Sequence, residues 1–225
     1  EKAYIEKAKK QISEEYIGGV IFSKGGPVRQ AKLTNEFQQI SRTPLLIGMD
    51  AEWGLAMRLD STFALPWNMT LGAIQNNKLI EEAGAAISRH TKRLGIHINF
   101  APVVDINTNP LNPIIGNRSF GENKINVTEK ALAFMRGMHR EGILSSAKHF
   151  PGHGDTDQDS HKTLPSVNFP KERIEGIELY PYRELIKDSL SSVMVAHLNV
   201  PALGTQEGRP TSLSKKVVTE MLRET

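Results

Sequence analysis

Short apolar runs alternate along the chain with longer stretches in which apolar residues recur every three or four positions. The short runs cover residues 17–23, 44–50, 97–105, 143–149 and 192–197. Most lack polar alternation, as strands buried on both faces do. Pro102 interrupts the third. The intervening stretches have approximately helical spacing. Residues 28–41 carry Val28, Ala31, Leu33, Phe37 and Ile40, residues 78–94 carry Leu79, Ala83, Ala86, Ile87 and Leu94, and residues 126–140 carry Ala131, Phe134, Met135 and Met138. Pro181 suits the first turn of a further helix running to about Leu190. The pattern predicts five parallel strands, adjacent in one sheet, with helices outside it.

Two α/β architectures fit such an alternation. A doubly wound sheet places a glycine-rich phosphate loop after an early strand, and neither Gly18-Gly19 nor Gly25-Gly26 has that spacing. A (β/α)8 barrel gathers polar residues at the C-terminal ends of many strands. Here the predicted strand ends carry Asp50, Asp105, Lys148, His149 and His197. That favours a TIM-type barrel. Five strands are too few to close one. Residues 1–15 and 214–225 both read as helix, and residue 1 is Glu rather than an initiator Met. The sequence is therefore expected to be an incomplete barrel domain, with its first strand and its last strands outside residues 1–225.

Composition narrows the function classes. Apolar residues make up 39% and charged residues 24% of the 225 positions, an ordinary globular balance. No apolar run reaches the roughly 18 residues that a membrane span needs. The absence of cysteine excludes disulfides and thiolate metal sites. The net charge of +3 is spread along the chain without a basic cluster interleaved with aromatics, which argues against nucleic acid as a partner.

The densest polar segment is Lys148-His-Phe-Pro-Gly-His-Gly-Asp-Thr-Asp-Gln-Asp-Ser-His161. It reads as a solvated loop, a metal site or an acid/base site. Metal is disfavoured, because the His149-x-x-x-His153 spacing does not fall on a helix and the glycines leave such ligands on flexible backbone. Acid/base chemistry suits Asp159-Ser-His161, where a carboxylate two residues from an imidazole orients the ring and favours its protonated form. Gly152 and Gly154 would let the segment move over a substrate.

The same segment resembles the signature of the β-N-acetylglucosaminidases of glycoside hydrolase family 3. Four further pieces resemble that family in order: Asp50-Ala-Glu-Trp-Gly with Arg58, Asn99-Phe-Ala-Pro-Val-Val-Asp105, Asn117-Arg-Ser-Phe-Gly121, and Met194-Val-Ala-His197 followed by Pro201-Ala. The Ala-Trp in the first stands where Gln-Gly is more usual.

The resemblance implies a barrel hydrolase that removes terminal, non-reducing β-linked N-acetylglucosamine by a retaining mechanism, without metal or other cofactor. It implies His161 as general acid/base paired with Asp159, and Asp50, Arg58, Arg118, Lys148 and His149 as the residues that hold the sugar. Its nucleophilic aspartate has no counterpart in residues 1–225 and is expected beyond Thr225. Phosphorolysis is an alternative outcome, because a histidine acid/base does not repel an incoming phosphate. A non-catalytic carbohydrate-binding module is another. His197 is open between a core position and the edge of the pocket. Trp53 and Trp67 read as packing residues rather than sugar platforms.

Overall fold

The structure is a computed structural model that describes residues 2–157, 163–206 and 208–224. It contains α1 (Lys2–Ser13), β1 (Gly19–Ile21), α2 (Pro27–Ile40), β2 (Leu46–Met49), α3 (Asn68–Gly72), α4 (Asn77–Arg93), β3 (Ile98–Asn99), α5 (Lys124–Arg140), β4 (Leu144–Phe150), α6 (Lys171–Gly176), α7 (Tyr180–Lys187) and β5 (Ser192–Val195). The strands form one parallel sheet in the order β1-β2-β3-β4-β5. Each strand pairs with the next in sequence, so the order never reverses, as it does in a doubly wound sheet. Right-handed crossovers between such strands carry their helices to one side.

The predicted elements recur with small shifts at their ends. The largest lies in the third strand, which stops at Asn99 because Pro102 has no N–H to continue the ladder. Pairing resumes beyond it, where Val103 bridges Lys148 and the Val104 N–H donates to the Lys148 carbonyl at 2.9 Å. The Ala101–Pro102, Lys148–His149 and Phe150–Pro151 peptides are cis. In the predicted C-terminal helix, residues Lys216–Met221 take the wider π-helical turn.

The helices owe their limits to local chemistry. Pro27 occupies the start of α2, where its missing N–H would have no partner in any case. Asn76 caps α4 by accepting from the Lys78 N–H, and Asn123 caps α5 by accepting from Ile125 and Asn126. Such caps contribute about 1 kcal/mol each. Both helices end in basic residues, Lys92 and Arg93 on α4 and Arg140 on α5, which suits the negative end of the helix dipole.

The two helices approach closely through a reciprocal pair of glycines. A Cβ on Gly84 would lie 2.2 Å from the Phe134 carbonyl oxygen, and one on Gly137 would lie 2.0 Å from that of Glu81. Beneath them Ile80, Ile87, Phe134, Met135 and Met138 are buried against the sheet residues Ile47, Met49 and Ala147. Each large apolar side chain so removed from water contributes about 1.5–3 kcal/mol. This packing fixes the strand ends from which the polar residues project.

Candidate active site

Two polar residues follow β2 and are held by a third on β3. The buried Asn99 accepts from the Ala51 N–H at 2.9 Å and donates to the Ala51 carbonyl at 3.2 Å. This two-bond clamp sets the direction of the flanking Asp50 and Glu52. Asp50 accepts from Lys148 Nζ at 2.7 Å through Oδ1 and from Arg58 Nη2 at 2.6 Å through Oδ2. The Glu52 side chain is fully buried. Its Oε1 lies 2.7 Å from both Lys148 Nζ and Arg118 Nη2, and its Oε2 accepts from Arg118 Nε at 3.0 Å.

The chain of contacts continues to a histidine. Arg118 Nη2 lies 3.3 Å from His149 Nε2, and His149 Nδ1 lies 2.7 Å from Asp105 Oδ2. The five residues expected to hold a sugar are therefore joined in one network with Glu52 and Asp105. Three cations, Arg58, Arg118 and Lys148, meet three carboxylates.

Lys148 and His149 are consecutive, and regular strand alternation would send them to opposite faces. The β4–β5 register slips between them: Lys148 pairs with Met194 and Phe150 pairs with Val195, leaving His149 as an extra residue. A bulge of this kind re-aims a side chain, and it brings both residues into the same network.

Burial pushes the Asp50 carboxyl up, but Lys148 and Arg58 outweigh it and hold it below the ordinary range. Glu52 follows the same rule. Its burial is overcome by Lys148 and Arg118, so it is held ionised. For Asp105 the burial is overcome by His149 and His153. Burial pushes the Arg118 guanidinium down, but Glu52, Asp105 and Asp50 raise it further. Ionised groups this deep survive only when their partners and hydrogen bonds are complete.

The first half of the polar signature is held by specific hydrogen bonds. The His153 N–H donates to Asp105 Oδ1 at 2.7 Å, and Asn112 Nδ2 donates to the His153 carbonyl at 2.8 Å. The His153 ring is buried and meets the Thr156 hydroxyl, so this residue shapes the loop. A Cβ on Gly154 would lie 2.0 Å from the Ile106 carbonyl oxygen, so glycine here permits a close backbone approach. Arg173 of α6 donates to Asp155 and lies against the Phe169 ring. His161 and Asp159 lie outside the described residues.

His197 is exposed, with Nδ1 at 2.5 Å from the Ser212 hydroxyl, so the core reading of this residue does not hold. It makes none of the contacts that join the network. Trp53 and Trp67 pack on each other with ring centroids 4.2 Å apart. Trp67 keeps 44% of its surface exposed.

Sequence reasoning missed Glu52, Asp105 and Asn99 as site-building residues. Glu52 lay in the quoted Asp50-Ala-Glu-Trp-Gly segment as part of the resemblance, but was given no role there. Asp105 was visible as a charged strand end. Asn99 stood at the head of the quoted 99–105 segment, but nothing in the sequence showed that it holds the Ala51 backbone.

Residues 2–225 match the family model described as glycosyl hydrolase family 3 N terminal domain. Beta-hexosaminidase A of Pseudoalteromonas piscicida is 38% identical over 235 residues, which cover 94% of this chain and 39% of that protein. A glycoside hydrolase family 3 beta-N-acetylglucosaminidase from Paenibacillus sp. str. FPU-7 superposes with a TM-score of 0.88 at 41% identity, covering 93% of this chain and 41% of that one. NagZ from Neisseria gonorrhoeae, solved in complex with N-trifluoroacetyl-D-glucosamine, gives a TM-score of 0.88 at 29% identity over 97% of this chain and 66% of that one. The chain thus spans between about two fifths and two thirds of these relatives. Sequential parallel strands, a charged network at their C-terminal ends and a family match across nearly every residue agree, and the chain belongs to the N-terminal domain family of glycosyl hydrolase family 3.

Proposed function

We propose that this chain is the sugar-holding part of a (β/α)8 barrel in a retaining glycosidase. Its substrates are terminal, non-reducing β-N-acetylglucosamine residues, with peptidoglycan-derived fragments as the natural source. The observation that carries the reading is the joined network of Asp50, Arg58, Arg118, Lys148 and His149 at the ends of parallel strands. Barrel enzymes place their chemistry at that face. A sugar ring offers hydroxyls at fixed angles, and ionised, preset partners bind them through charge-assisted hydrogen bonds. In this scheme His161, oriented by Asp159, gives a proton to the departing oxygen and later takes one from water. A retaining reaction also needs a carboxylate nucleophile about 5 Å from the donor, and no residue of 1–225 is assigned to that role.

The test uses the full-length protein and a chromogenic β-N-acetylglucosaminide. Release of N-acetylglucosamine with the β configuration is expected, and free phosphate should change neither rate nor product. A sugar 1-phosphate formed only with phosphate would favour the phosphorylase. Lys148→Ala should lower kcat/KM by about ten- to a hundredfold, as loss of a charged hydrogen bond does. Wild-type kcat/KM in that variant would overturn the role of the network.

A further inference from the structure

The buried pair Asp105–His149 carries an inference that rests on the sugar-holding role just proposed and deepens it. His149 Nδ1 faces Asp105 Oδ2 at 2.7 Å. An ionised carboxylate has no proton to donate, so the hydrogen between these atoms belongs to Nδ1. On the other side, His149 Nε2 faces Arg118 Nη2 at 3.3 Å. A guanidinium has no lone pair to offer, so Nε2 is the acceptor there. The two neighbours impose the same tautomer from opposite sides. His153 is the other ring beside His149, its centroid 6.1 Å away and its plane edge-on, and its Nδ1 engages Thr156 rather than His149.

Distances rank the bonds that Arg118 makes. It holds Glu52 at 2.7 and 3.0 Å, the Ile114 carbonyl at 3.2 Å and His149 at 3.3 Å. An ordinary N–H bond is centred near 2.9–3.0 Å. The contact to His149 is the longest of them and the only one whose acceptor is a side-chain ring, so it is the one a ligand can replace. Asp105 is itself fixed: it accepts from the His149 and His153 backbone N–H groups as well, and its side chain is fully buried.

We propose that Asp105 is a positioning residue that holds the His149 ring with a proton on Nδ1, which leaves Nε2, facing Arg118, to accept a hydrogen bond from a sugar hydroxyl. His149 then reads the hydroxyl as a donor. Arg118, released from its contact with His149, can turn that N–H to an acceptor oxygen of the same sugar.

The test is 15N spectroscopy of the full-length protein labelled at histidine, with the His149 signals assigned by their loss in His149→Gln. For the singly protonated ring, a pyrrole-type Nδ1 and a pyridine-type Nε2 are expected. N-Acetylglucosamine should shift the Nε2 signal. In Asp105→Asn the amide oxygen is claimed by the His149 and His153 N–H groups, which leaves the NH2 facing Nδ1 and only the long Arg118 contact favouring Nδ1–H, so an Nε2–H population should appear beside it. KM should rise by about ten- to a hundredfold, with a smaller change in kcat. An Nε2–H signature in the wild type overturns the proposal, as does an unchanged tautomer in Asp105→Asn or sugar binding that leaves Nε2 unmoved. If Asp105→Asn does not fold, the wild-type spectrum and its sugar titration decide. A wild type that turns over no N-acetylglucosaminide overturns the glycosidase reading instead, while the tautomer is judged on the spectrum alone.

Discussion

Replacing Glu52 by Gln tests how much of the fold rests on the charged network. The carboxylate is fully buried between Lys148 and Arg118 and receives three contacts of 2.7, 2.7 and 3.0 Å. Gln keeps the shape but loses the charge, and its amide N–H groups face donors. The network changes from three cations against three carboxylates to three against two. Breaking a buried ion pair costs about 3–5 kcal/mol, because the abandoned partner stays out of water. Lys148 retains Asp50 at 2.7 Å, and Arg118 retains the Ile114 carbonyl at 3.2 Å, which places the expected loss near the lower limit, about 3 kcal/mol. At roughly 2–4 °C per kcal/mol for a chain of this size, Tm should fall by about 6–12 °C. Thermal unfolding followed by circular dichroism measures it. A fall under about 2 °C would mean that water or a relaxed Lys148 compensates the charge, and the argument from burial would fail.

Three further outcomes follow from the same geometry. Stability should drop on acidification: Asp50, Glu52 and Asp105 are held below the ordinary carboxylate range, so their contribution is full above it and lost as pH falls through it. His153, pushed down by burial, acts in the same direction below its ordinary value of 6.5, whereas burial raises Glu178, whose contribution runs the other way and is lost as pH rises. A urea midpoint at pH 4 equal to that at pH 7 would contradict this. Gly137→Ala should destabilise by about 1–3 kcal/mol despite alanine's better helix propensity, because its Cβ would lie 2.0 Å from the Glu81 carbonyl oxygen. Denaturant unfolding decides the sign. His161→Ala in the full-length protein should slow substrates with poor leaving groups most, since an alkoxide needs a proton to depart and an activated aryl oxide does not. An equal loss across leaving groups in steady-state assays would remove His161 from that role.

The parallel sheet was legible because each strand is a compact apolar run and each helix keeps a period near 3.6. The boundaries of α2, α4 and α5 follow from Pro27, Asn76 and Asn123, whose preferences are local. The third strand was read too long, since apolar character continues through Val103 and Val104 while the ladder breaks at Pro102. The charged strand ends were visible as residue types. Their wiring was not: Lys148 and Asp50 are 98 positions apart, and Arg118 and Glu52 are 66 apart. The close approach at Gly154 was not legible, because it depends on what lies opposite, here the Ile106 carbonyl.

The strand order has a consequence for how the chain acquires its structure. Gly19 pairs with Leu46, Gly48 with Ile98, Ile98 with Leu144 and Ser146 with Ser192, so no strand waits for a partner more than about fifty residues away. During synthesis the sheet can be laid down progressively from the N-terminus. The electrostatics mature later. Glu52 arrives with β2, but its two cations come only with Arg118 and Lys148. Until then a carboxylate destined for the interior has to stay hydrated or take up a proton. Burial of Glu52 with its charge fully compensated therefore has to wait for Lys148, nearly a hundred residues later in the chain.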